Sequence, residues 1–81
     1  MVSSSQIKAA RAMLGWSAIE LANRSGVGSA SIKRYEVQYG VPVANTRNLM
    51  SIRNALEEAG IEFTGDPLVN PGVTLRIKRD D

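Results

Sequence analysis

Helix caps and glycine stops cut the first 60 residues into short segments, and this spacing constrains the fold more than any other feature. Ser3-Ser4-Ser5-Gln6 reads as a capping box, with Ser at the N-cap and Gln three helical positions on. Ile7, Ala10, Arg11 and Leu14 then share one helical face, and Gly15 is a natural stop. A helix over 3–14 is predicted. Ser17-Ala18-Ile19-Glu20 repeats the box and starts a helix over 17–24, with Leu21 and Ala22 on its buried side. Ser25-Gly26 ends it. A third helix over 28–38, opened by Gly28 or Ser29, turns Ile32 and Tyr35 inward. Asn45 caps the longest helix, 46–59, whose Leu49, Ile52, Leu56 and Ala59 form an apolar stripe before Gly60.

The chain changes character after Gly60. Ile61-Glu62-Phe63 alternates like a short strand, and a turn region rich in Gly and Pro follows from Thr64 to Gly72. Val73 to Lys78 alternates apolar and polar residues, a second strand signal. The final Arg79-Asp80-Asp81 reads as a frayed tail. The expected fold is mainly α, four helices with a short C-terminal β segment over 61–81. Pairing strand 73–78 with Ile61–Phe63 makes a hairpin; pairing it with another subunit makes a homodimer. Both are open at this point, and the homodimer is the expected assembly.

Composition removes most chemistry. The chain has 81 residues, enough for one small domain. It has no Cys, which excludes disulfides, thiolate metal sites and Cys nucleophiles. It has no His, which removes the commonest general base and transition-metal ligand. The many Ser residues are explained as caps and turns. Glu57-Glu58 is a solvated helix face, since adjacent helix residues do not converge on one ion. No enzyme activity, cofactor, metal or small-molecule substrate is expected. No basic leader or long apolar run is visible, so the expectation is a cytoplasmic protein with no membrane partner.

Charge distribution points to a partner. Residues 1–53 carry seven basic and two acidic residues; residues 54–81 carry three basic and six acidic. A basic front and an acidic back suggest that the front faces a polyanion. Within that front, two helices flank a tight turn, Asn23 to Gly28, and the second presents Ser29, Ala30, Lys33 and Arg34 outward. This is the physical description of a helix-turn-helix. An Arg on the apolar stripe at position 11 either snorkels or meets a carboxylate. Trp16 reads as a staple on the second helix, Tyr35 as core, and Met13 and Met50 as core filler.

Ala9 to Ser17, Leu21-Ala22, Ser25-Gly26-Val27 and Ile32-Lys33-Arg34-Tyr35-Glu36 together resemble the XRE-type (phage repressor and Cro-like) helix-turn-helix family. Ala55 to Phe63 is similar to a small bacterial subgroup in which the fourth helix runs into a β segment. The resemblance covers about residues 5–63. It implies a DNA-binding domain over 1–63 that acts as a transcriptional regulator, a repressor by analogy, on double-stranded DNA. It further implies that helix 28–38 lies in the major groove, with Ser29, Ala30 and Arg34 at base-facing positions and Lys33 beside them. It pairs Arg11 with Glu36 as a structural clamp.

Phosphate contacts need helix N-termini and basic or hydroxyl side chains. Ser17 and Arg47 are candidates, as are Arg24, Thr46, Gln38 and Tyr39. Some positions depart from the family. Ala18 stands where Gln is usual, and Gly28 where a Ser or Thr cap is common. The short Ser29, Ala30 and Ser31 cannot make bidentate contacts to adenine, which leaves Arg34 as the bidentate reader, with guanine its natural target. These departures also define an alternative, an interaction module on the same scaffold with weak or no DNA readout.

Overall fold

A computed structural model describes residues 1–77. The readings of Lys78 as a strand residue and of Arg79–Asp81 as a tail lie outside them. The described chain forms α1 (Ser4–Leu14), α2 (Ala18–Ser25), α3 (Ser29–Glu36) and α4 (Thr46–Glu58), then β1 (Ile61–Thr64) and β2 (Gly72–Leu75). The protein is mainly α with a short C-terminal β segment.

Local signals set the helix ends. The Ser3 hydroxyl accepts from the Gln6 N–H while the Gln6 side chain accepts from the Ser3 N–H, a complete capping box. Ser17 caps α2 by accepting from the Glu20 N–H at 3.0 Å, and Asn45 caps α4. Gly15 and Gly26 end α1 and α2 in the left-handed region, where Gly has no Cβ penalty.

Two expected boundaries differ. The third helix is shorter than 28–38. Gly28 is its N-cap, with no side-chain bond, and the chain leaves the helix at Val37. Gln38 lies beyond that end, where its side chain accepts from the Val43 N–H at 2.8 Å and holds the following loop instead. The second strand is likewise shorter than 73–78, running from Gly72 to Leu75. It pairs within the chain, antiparallel, matching Ile61 with Leu75 and Thr64 with Gly72. The hairpin therefore forms, and pairing with Ile61–Thr64 occupies one edge of β2.

Every helix contributes to one core. Ile7 of α1, Leu21 of α2, Ile32 of α3, and Ile52 and Leu56 of α4 are fully buried. Tyr35 is buried as expected, and its hydroxyl accepts from the Asn48 side chain of α4 at 3.1 Å. Trp16 is half-buried against the core. The two methionines are a correction. Met13 and Met50 are exposed rather than core filler, because smaller or branched residues already fill the centre.

The hairpin is not loosely attached. The Gln6 side-chain amide donates to the Thr64 carbonyl at 3.2 Å and to the Gly72 carbonyl at 3.0 Å. One residue thus finishes the α1 cap and fastens the first helix to the turn end of the hairpin. Ile61 is buried, while Phe63, Val73 and Leu75 pack half-buried on the helical layer.

Candidate nucleic-acid interface

The outer face of α3 follows from its inner one. Ile32 and Tyr35 point into the core, so Ala30, Lys33 and Arg34 emerge on the opposite side, and all three are exposed. Ser29 and Ser31 are half-buried at the first turn. The Arg34 guanidinium is not loose. It lies over the Tyr35 ring at 5.6 Å and donates to the Ser31 hydroxyl at 3.3 Å. Both contacts are weak enough to be exchanged for a partner, since a cation–π contact at an exposed site contributes only about 0.5–1 kcal/mol.

A clamp holds the far end of α3. The Arg11 Nε and Nη2 each donate to a separate Glu36 carboxylate oxygen at 2.8 Å, a bidentate pair. Nη1 donates to the Trp16 carbonyl at 2.9 Å. The Glu36 side chain is only 7% exposed. The Glu36 hydrogen bond holds the Arg11 guanidinium more firmly protonated than usual, against a smaller opposing effect of burial. The clamp joins α1, the α1–α2 turn and the last turn of α3. It fixes the direction of α3 relative to the body.

The other candidates fall on three elements. Ser17, at the start of α2, is exposed, but its hydroxyl is engaged in the cap. Beside it lies the N-terminus of α2, where the helix dipole favours an anion. Arg47 is exposed in the first turn of α4, and Tyr39 is fully exposed in the loop between α3 and α4. Gln38 is drawn away from this group by its bond to the Val43 N–H. Arg24 is partly committed, stacked over Trp16 at 4.7 Å and paired with Glu20 at 3.6 Å. Ala18 is buried, so the position where the family resemblance would place a Gln points to the protein interior here.

Two participants were not visible in the sequence. The Trp16 carbonyl is the third ligand of Arg11, and a backbone acceptor leaves no residue signature. Asn48 braces Tyr35, and hence α3, from α4; a polar residue on the edge of the α4 stripe was the only hint.

The chain matches no protein-family model and none of the curated proteins with which it was compared. Among the described residues, no group of acidic side chains is arranged to hold a metal ion, and no helix is long and apolar enough to cross a membrane.

Proposed function

We propose that the chain binds double-stranded DNA with α3 in the major groove, as a cytoplasmic transcriptional regulator of the XRE type. The observation that carries this reading is the joint exposure of Ala30, Lys33 and Arg34 on a helix whose opposite end is clamped by Arg11 and Glu36. A reading head must be both accessible and held at a fixed angle, and α3 meets both conditions.

Arg34 reads guanine by its fork, leaving Tyr35 and Ser31 to do so. Lys33 meets a base edge or a phosphate. Ser29 and Ala30 let the backbone approach closely and offer a small surface to a thymine methyl. The N-terminus of α2 at Ser17 and Arg47 at the start of α4 take phosphates on either side, with Tyr39 in the intervening loop. Gln38 steadies that loop. With one bidentate reader, sequence discrimination is modest, and phosphate contacts and DNA shape supply a large share of the affinity. Occupancy of a promoter by such a domain is enough for repression.

The test is a fluorescence-anisotropy titration with pooled random duplex DNA at several salt concentrations. Wild type is compared with Lys33→Ala/Arg34→Ala. The expected result is a steep fall of affinity with salt, made shallower by the double substitution by up to one unit of logarithmic slope per phosphate contact removed. A folded protein that fails to bind at low salt overturns the reading and favours the interaction module.

A further inference from the structure

α3 is gripped unevenly. Its backbone packs more closely on α1 and α2 than on α4. Its last turn is clamped to α1 through Glu36 and Arg11. Its first turn has no comparable hold, since the N-cap Gly28 brings no side-chain bond. The apolar contacts of Ile32 and Tyr35 keep the helix on the body, but apolar contact has no preferred direction and resists a roll of the helix only weakly.

Among the described residues, one hydrogen bond joins α3 to α4. The Asn48 side-chain amide donates to the Tyr35 hydroxyl at 3.1 Å. Both ends of this bond are anchored. Asn48 stands in the first turn of α4, where its own N–H and that of Arg47 donate to the Asn45 cap. Tyr35 is buried in the core, and the Arg34 guanidinium rests over its ring at 5.6 Å. Asn48, Tyr35 and Arg34 thus form a line from α4 to the proposed base reader. We propose that Asn48 is a positioning residue for sequence discrimination: through the Tyr35 hydroxyl it sets the roll of α3, and so the aim of Arg34.

The proposal rests on the DNA-binding reading above and adds to it a residue that touches no base. A hydrogen bond is directional, so this link can fix a roll that packing leaves soft. A bidentate contact to guanine depends on that roll, because both N–H groups of the fork must meet two acceptors on one base edge. A phosphate contact depends on it less, being largely a matter of charge. Loss of aim therefore lowers the affinity for a preferred sequence more than the affinity for DNA in general. A loss of stability alone does not imitate this. A smaller folded fraction weakens binding to every duplex by the same factor and leaves the ratio of two affinities unchanged.

The experiment compares two probes at one salt concentration by fluorescence anisotropy: the duplex most enriched by wild type from a random pool, and the unselected pool. The ratio of the two affinities is expected to fall about fivefold or more in Asn48→Ala, the low end of what one bidentate base contact supplies in discrimination. Tyr35→Phe keeps the ring beneath Arg34 and removes only the hydroxyl. It is expected to lower the ratio equally, and the double variant no further. Asn48→Asp is expected to restore the ratio, because the phenol can donate its proton to a carboxylate. Asn54→Ala, on the exposed face of α4, is expected to leave it unchanged. A wild-type ratio in Asn48→Ala overturns the proposal, as do additive losses in the double variant or a failure of Asn48→Asp to rescue. A wild type that binds duplex DNA but enriches no sequence also overturns it, and leaves the DNA-binding reading standing. A folded wild type that binds no duplex at low salt ends that reading, and the proposal falls with it.

Discussion

Arg11 and Glu36 show how one pair of residues can set a function without touching a ligand. The pair is mostly out of water, and each partner satisfies the other by a two-pronged bond. Removing one partner leaves an uncompensated buried charge, which costs about 3 kcal/mol or more. Arg11→Ala and Glu36→Ala are each expected to lower stability by roughly that amount, and the double variant by far less than the sum. Urea denaturation of the four proteins in the cycle measures this; additive losses would refute the coupling. An arginine on an apolar stripe left two readings open in the sequence, a snorkelling side chain or a carboxylate partner, and the family resemblance pointed to Glu36. The exposure of Met13 and Met50 was not legible there. Methionine is apolar enough for a core and flexible enough for a surface, so periodicity alone does not decide its side.

Among the elements, the helices were read more accurately than the strands. Caps and glycines are local chemistry, and they placed α1, α2 and α4 to within a residue or so. The end of α3 was missed by two residues because nothing stops it locally. Val37 is not a breaker; the helix ends where Gln38 turns to hold the loop at Val43. The strand pairing was open in the sequence because one alternating segment suits either partner. The hairpin carries its own electrostatic signature. Arg76 donates to the Glu62 carboxylate on the solvent face, and this hydrogen bond holds the Glu62 carboxyl below the usual carboxylate range. Its contribution is therefore complete above that ordinary range and is lost as pH falls through the lowered value. Both groups are exposed, so the effect is small and screened by salt. The melting-temperature difference between wild type and Glu62→Gln is expected to shrink steadily from neutral to strongly acid solution. A constant difference would show that the pair does not titrate with folding.

At the scale of the whole molecule, Gln6 is the residue that makes one body of two parts. It bonds Ser3 within its own helix, and Thr64 and Gly72 far along the chain. Gln6→Glu keeps the acceptor for the cap but sets a carboxylate against two carbonyl oxygens. It is expected to cost about 1–3 kcal/mol. Native-state hydrogen exchange locates the loss: the amides of β1 and β2 exchange faster, while those of α4 keep their protection. Uniform acceleration everywhere would show that the hairpin and the helices unfold as a single unit. The sequence displayed half of this residue's role, since a capping box is a local pattern, and concealed the other half, since its carbonyl partners are backbone atoms brought near by the turn after β1. The arrangement also has a consequence in time. As the chain leaves the ribosome, residue 6 is synthesised long before residues 64 and 72. The first helix completes its cap early, and its amide waits in water for the rest. The hairpin, made after all four helices, is thus the part that closes this body, so a nascent chain halted before Gly72 holds its helices without their fastening.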